Sequence, residues 1–210
     1  MKIVANRYQA GGASRPSLTC PACRKVGVFE VLNNMPDVEV LHPTRYILGL
    51  KQCPNRLCLA MVYLILDTNQ VVLQSFPAER IDFDTSNIPQ NIVACLDEAL
   101  TCHAHGCHAA CAIMVRRTLE ILCEAKLAVG NNLRDRIANL KSKVVLPNEL
   151  FVAMDELRLL GNDAAHVEAK TYADVSSEET SAAIELTKEI LKAVYQLDDL
   201  VKRLQALKRL

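Results

Sequence analysis

Four cysteines in the first third of the chain form two closely spaced pairs. The pairs are Cys20 with Cys23 and Cys53 with Cys58, with two and four residues between their members. Thiolates are preferred ligands of tetrahedral zinc, and two cysteines flanking a tight turn can reach one ion together. Pro21 and Pro54 follow the first cysteine of each pair, where a fixed φ suits such a turn. The spacing predicts one structural zinc ion; the alternative is four scattered buried thiols.

A second group of cysteines and histidines spans residues 102–111. Its members are Cys102, His103, His105, Cys107, His108 and Cys111. Cys107 and Cys111 are one helical turn apart, which permits a second metal site. Gly106 instead indicates a turn between two helices, and small cysteines are common where helices pack closely. Packing is the favoured interpretation, and whether these residues bind a second metal is left open.

Polar residues recur at helical spacing in the second half of the chain. Arg117 and Glu120 are three residues apart, and Arg158, Asn162 and His166 recur every four residues along one helix face. We expect Arg117, Glu120, Asn162 and His166 to converge between two adjacent helices. They could form a buried hydrogen-bond network, or a general acid–base site because imidazole titrates near neutral pH. Chemistry alone favours the network.

The elements that would position the cysteine pairs are β-strands. Runs rich in Val, Ile, Leu and Tyr alternate with turn signals over residues 20–80, which predicts a small antiparallel sheet of about four strands. The runs are residues 26–32, 45–52, 59–66 and 71–76. This block is poor in aromatic residues, so metal binding would supply much of its folding free energy. Residues 1–19, with Gly11, Gly12 and Pro16, predict a flexible lead-in.

The polar motif lies in a region of helical periodicity. Residues 76–89 contain two prolines, and we place the domain boundary there, with a helical bundle over residues 88–210. Ser176 followed by Glu179 is a capping-box pattern that predicts a long last helix. That helix, residues 177–207, has more apolar positions than one stripe needs, which indicates self-association. The predicted fold class is α+β, a zinc-ribbon-like β domain over residues 20–80 followed by an all-helical bundle.

Composition limits the possible functions. The formal net charge is zero, 4% of residues are aromatic and there is no Trp, which argues against a strongly electrostatic nucleic-acid binder. The longest apolar run, around residues 57–66, is too short to span a bilayer, and the N-terminus lacks the apolar core of a signal peptide. We therefore expect no membrane association and a cytoplasmic location, where nine cysteines serve metal binding or packing rather than disulfides.

The order of these features resembles the domain of unknown function 4145 family. The resemblance rests on the cysteine pairs, on Ile88-Pro89, and on the stretches at residues 116–120 and 160–166, and it covers nearly the whole chain from Cys20 onward. The family's helical domain is similar to the HEPN class, named for higher eukaryotes and prokaryotes nucleotide-binding. The resemblance implies an antiparallel helical bundle that dimerises and works in bacterial defence or restriction-type systems.

Many HEPN domains are metal-independent ribonucleases whose motif combines an arginine, a polar residue and a histidine. His166 and Asn162 match that motif, but the arginine position falls on Gly161, and the nearest upstream arginine is Arg158. The expectation is therefore a non-catalytic module that binds RNA, DNA or a defence-system protein and forms a homodimer. The alternative is a ribonuclease that uses His166, with Arg158 or Arg117 as its cation.

Overall fold

The computed structural model describes residues 7–32, 35–42, 44–166, 168, 172 and 175–208. It divides into two compact units, Met1–Asp82 and Phe83–Leu210. The described residues of the first unit form antiparallel β structure, and those of the second form six helices, which confirms the predicted α+β class. Among the helices described, none combines the length and the apolar content needed to cross a membrane.

The described part of the first unit contains eight short strands. They are β1 (Arg7–Ala10), β2 (Ser17–Thr19), β3 (Val26–Val28), β4 (Glu30–Val31), β5 (Val38–His42), β6 (Thr44–Gln52), β7 (Met61–Leu66) and β8 (Val72–Phe76). Six of them form one antiparallel sheet in the order β1-β5-β6-β7-β8, with β4 also paired to β6, while β2 and β3 pair separately. Side chains alternate along β7, where Val62, Leu64 and Leu66 are buried and Met61 and Tyr63 are exposed.

This unit has an apolar core of its own, contrary to the expectation from its low aromatic content. Phe29 is fully buried and packs in one cluster with Leu18, Val62, Leu64 and Leu66, and the same cluster contains Cys20 and Cys53. A single well-placed Phe and the aliphatic face of β7 thus fill the interior. A metal ion at the cysteines would therefore add to a core that already exists.

The first nineteen residues are more structured than the predicted flexible lead-in, as far as they are described. β1 pairs with β5, and β2 pairs with β3. Between these strands Ser14 is buried, and its N–H and Oγ donate to Asp37 Oδ2 at 2.8 and 2.5 Å. Lys51 Nζ lies 2.7 Å from Asp37 Oδ1 and donates to the Ser14 carbonyl at 2.8 Å. This buried ion pair fixes the segment to the sheet.

The second unit is built around its second helix. The helices are α1 (Gln90–Ala104), α2 (His108–Ala125), α3 (Leu133–Leu140), α4 (Asn148–Ala165), α5 (Ser177–Tyr195) and α6 (Leu197–Ala206). α2 contacts α1, α3, α4 and α5, and its buried face includes Cys111, Val115, Leu119 and Leu122. Gly106, at φ +72°, makes the turn between α1 and α2 that the sequence predicts.

The last predicted helix is two helices in the structure. The capping box of Ser176 and Glu179 is present at the start of α5, as predicted. The helix then breaks at Gln196, whose buried side-chain Nε2 donates to the carbonyls of Asp84 (2.8 Å) and Ser86 (3.0 Å). Because this amide is held by the segment before α1, α5 and α6 separate at that residue.

Candidate metal centre and polar cluster

The four paired cysteines come together in the first unit. The Cys20 and Cys58 Sγ atoms are 3.8 Å apart, as are those of Cys23 and Cys53, and all four sulfurs lie within 4.8 Å of one another. Four sulfurs bound tetrahedrally at about 2.3 Å from a zinc ion would be about 3.8 Å apart. The described residues therefore form a site whose size and ligand type fit a metal ion.

The two loops that present these cysteines have matching backbone geometry. The N–H of Cys20 donates to the Lys25 carbonyl at 3.0 Å, and the N–H of Cys53 donates to the Ala60 carbonyl at 2.8 Å. The residue after the second cysteine is left-handed in both loops, at Arg24 (φ +60°) and Leu59 (φ +52°). The additional residues of the second pair lie at the tip of its loop, so both pairs can bind the same ion.

Burial and hydrogen bonding make the thiols unequal. Cys20 and Cys53 are buried, and Cys23 and Cys58 are partly exposed. Burial raises the pKa of Cys53 to about 12, whereas a hydrogen bond with the Asn55 side chain lowers the pKa of Cys23 to about 6. Since zinc binds thiolates, binding of the ion would displace the proton that Cys53 otherwise keeps at neutral pH.

The second cysteine and histidine group lies where α1, α2 and α5 meet. His103 Nδ1 is 2.9 Å and His108 Nδ1 is 3.1 Å from Thr180 Oγ1, and the two rings make an edge contact at 5.8 Å. Burial, followed by the neighbouring His108, lowers the pKa of His103. Of the described residues, only the four paired cysteines gather three or more metal-binding side chains. His103 and His108 thus connect the end of α1 and the start of α2 to the start of α5 through the hydroxyl group of Thr180.

The polar cluster between α2 and α4 is organised by Arg116. Its Nε lies 3.3 Å from Glu120 Oε1, and its Nη1 donates to Asn162 Oδ1 at 3.1 Å. Glu120 and Asn162 are thus brought together as the sequence predicts, but through Arg116 and not through Arg117, which is exposed. In the sequence, the four-residue spacing of Arg116 and Glu120 could have indicated this ion pair.

Gly161 lies at a close contact between α2 and α4. A Cβ atom added there would lie 2.5 Å from Arg116 Cβ and 2.8 Å from the Ala112 carbonyl oxygen. No larger side chain fits without moving one of the helices, so an arginine at this position is sterically excluded. The guanidinium that reaches Asn162 instead comes from α2.

The remaining candidates lie towards the end of α4. Arg158 Nε is 2.7 Å from Asp155 Oδ1 on the same helix. His166 is exposed and caps α4, with its backbone N–H donating to the Asn162 carbonyl at 3.1 Å. The imidazole is therefore not packed within the helices, in contrast to the predicted convergence of four side chains.

The comparison with protein families identifies the second unit. The model of Domain of unknown function (DUF4145) matches residues 97–207, which is just over half of the chain. The chain belongs to the DUF4145 family. Neither the curated proteins nor the solved structures gave a match.

The DUF4145 match covers most of the helical unit and leaves out the cysteine loops. It begins within α1 and includes α6. The two stretches on which the resemblance rested, residues 116–120 and 160–166, face each other between α2 and α4 of the DUF4145 domain through Arg116, Gly161 and Asn162. The four-cysteine cluster thus lies outside the matched residues, in the N-terminal unit.

Proposed function

We propose that this DUF4145 protein is a non-catalytic interaction module of a bacterial defence or restriction-type system. It works in the cytoplasm as a homodimer whose helical unit supplies the dimer contact. Its β unit is stabilised by one zinc ion bound to Cys20, Cys23, Cys53 and Cys58. Four sulfur ligands leave no open coordination position, so the metal has a structural role. The β unit presents the surface that binds nucleic acid or a partner protein.

The observation that best supports this proposal is the exposed tip of the second cysteine loop. Leu57 is 95% exposed there, next to the exposed Arg56. β3 lies against the same loop, because a Cβ added at Gly27 would be 2.5 Å from Pro54 Cγ, and Val26 of β3 is 72% exposed. Binding residues are often found on exposed loops that a folded scaffold positions. We name Arg56, Leu57 and Val26 the knuckle face.

Charge favours an acidic partner for the knuckle face. The unit Met1–Asp82 has nine Lys and Arg against six Asp and Glu, whereas Phe83–Leu210 has 15 against 18. The zero net charge of the chain therefore combines a basic β unit with an acidic helical unit. Residues 53–60 contain no aromatic ring on which a base could stack. An acidic protein surface fits an apolar tip with basic neighbours better than nucleic acid does.

Site-specific cross-linking tests this proposal. A photoreactive amino acid at position 57 should cross-link to a protein in the native host, and Arg56→Glu should weaken that cross-link because it reverses the charge beside the tip. The same amino acid at Val145, which is fully exposed in the helical unit, serves as the matched control. Cross-links to nucleic acid at position 57, or identical products at both positions, would count against a protein partner.

A metal-independent ribonuclease is the second candidate, and the position of Arg116 favours it. Arg116 supplies a guanidinium beside Asn162, one helical turn before His166. In such an enzyme Arg116 would stabilise the developing negative charge and His166 would transfer protons.

An RNA cleavage assay without added divalent cations separates the two candidates. We expect no cleavage by the wild-type protein. Cleavage that disappears in both His166→Ala and Arg116→Ala, and persists in Arg117→Ala, would establish the ribonuclease instead. Arg117 is a suitable control because it is the adjacent arginine and is exposed.

A further inference from the structure

The apolar side of α6 is not covered by the described remainder of the chain. The exposed fractions of its apolar side chains range from 48% to 78%, and no residue of α6 is buried. These side chains are Leu197, Leu200, Val201, Leu204 and, just after the helix, Leu207. Their spacing of three and four residues places them on one stripe.

A helix of this length is not stable by itself. Isolated helices shorter than about 12–15 residues are marginal in water, and helices in proteins owe most of their stability to packing of an apolar face. α6 has only ten residues. The side-chain hydrogen bonds described at its start are those of Gln196, which precedes the helix. The stripe on α6 therefore needs a surface to pack against.

The charges on α6 indicate what that surface is. Asp198 and Asp199 lie in its first turn, and Lys202, Arg203 and Lys208 lie towards its end. Two copies of α6 side by side in parallel would place like charges together. Two antiparallel copies would place the acidic turn of each beside the basic end of the other, and their helix dipoles would also be opposed favourably.

We infer that α6 pairs antiparallel with α6 of a second copy of this chain. The pairing is isologous, so Leu200 of each copy lies near Leu204 of the other at the centre of the seam. This inference rests on the homodimer proposed above and specifies the face and orientation of its contact.

Sedimentation analysis at tens of micromolar protein tests the face. Leu204→Asp should weaken dimerisation by at least about tenfold, because it places a carboxylate in the apolar seam. Val145→Asp adds the same charge at a fully exposed apolar position of the helical unit outside α6 and should leave the dimer nearly unchanged. Circular dichroism checks that both variants keep their helix content. A dimer that persists unaltered in Leu204→Asp would overturn this face while leaving the homodimer standing.

A charge reversal tests the orientation. Asp198→Lys combined with Asp199→Lys should weaken the dimer at low ionic strength, and the loss should shrink at high salt, since exposed charges are screened. A parallel pair predicts no change, because like charges already oppose each other in it. A monomeric wild-type protein would overturn the inference together with the homodimer. It would not affect cross-linking at Leu57, which reports on the other part of the proposed function.

Discussion

Gly161 determines how closely α2 and α4 approach, and with it where the cationic group of the polar cluster comes from. Its neighbours are the Arg116 Cβ and the Ala112 carbonyl, both of them rigid parts of α2. The position that the HEPN resemblance assigns to an arginine is thus occupied by the helix contact itself. Arg116 reaches Asn162 from the opposite helix because nothing projects from Gly161.

Gly161→Ala should destabilise the helical unit. Alanine normally stabilises a helix by about 1 kcal/mol relative to glycine, but the added methyl group would overpack the crossing at a cost of about 1–3 kcal/mol. We expect a net decrease of about 1 kcal/mol in the free energy of unfolding, measured by urea denaturation. Gly12→Ala, where an added Cβ meets nothing within 4 Å, is the control. An increase in stability would mean that the helices separate easily.

At the residue scale, spacing predicts the cysteine set but not the orientation of the polar cluster. The two cysteine pairs are local patterns, each set by one short loop. Arg116 and Arg117 are adjacent on α2, and a rotation of about 100° decides which one faces α4. The stripe that included His166 assumed that α4 continues past that residue, whereas the helix ends at Ala165. Spacing alone does not report where a helix ends.

The sheet depends on the buried pair Asp37 and Lys51. Lys51→Met would leave the Asp37 carboxylate buried with Ser14 as its remaining donor, and this should cost about 3–5 kcal/mol. Adding Asp37→Asn removes the charge and keeps an acceptor for the Ser14 N–H, so the double variant should be more stable than Lys51→Met alone. Hydrogen exchange of the strand amides measures both. Lys25→Met, at an exposed lysine, should change stability by less than about 0.5 kcal/mol.

The junction of α1, α2 and α5 should make the helical unit sensitive to mild acid. The pKa of His103 is lowered in the folded state, first by burial and then by His108, so the folded protein binds this proton less readily than the unfolded chain does. The stabilisation is present above about pH 6.5 and is lost as the pH falls through the lowered pKa.

Urea denaturation between about pH 7.5 and pH 5.5 measures this dependence. His103→Asn keeps a donor for Thr180 and cannot be protonated, so its stability should vary less with pH than that of the wild type. His105→Asn changes an exposed histidine of the same segment and should retain the wild-type dependence. If the stabilities of the two variants depend on pH in the same way, groups other than His103 cause the sensitivity to acid.

At the element scale, the sequence reveals elements with strong internal patterns and misses those defined by distant partners. β6, β7 and β8 correspond closely to the predicted apolar runs, and the capping box locates the start of α5. β1 is only four residues long and is defined by its pairing with β5. The break between α5 and α6 follows from hydrogen bonds to Asp84 and Ser86, which lie more than 100 residues earlier in the chain.

For the whole molecule, the division into two units predicts two separable unfolding events. Purified protein should contain one zinc ion per chain, and Cys53→Ser should lose it and unfold the sheet locally while the helical unit stays folded. Metal analysis and circular dichroism with and without a chelator measure this. Cys107→Ser, at an exposed thiol outside the cluster, should keep the zinc. Absence of stoichiometric metal, together with normal folding of Cys53→Ser, would exclude a structural zinc ion.

The second cysteine loop separates the sulfur atoms proposed to bind zinc from the tip proposed to bind a partner. The backbone bond from Cys53 to Ala60 closes the loop below its tip, and the side chains of Arg56 and Leu57 point into solvent. Substitutions at these two positions can therefore accumulate without disturbing the sulfur ligands. Under the proposed function, a change of partner requires changes only at this tip, and a new recognition peptide can be grafted at the same point.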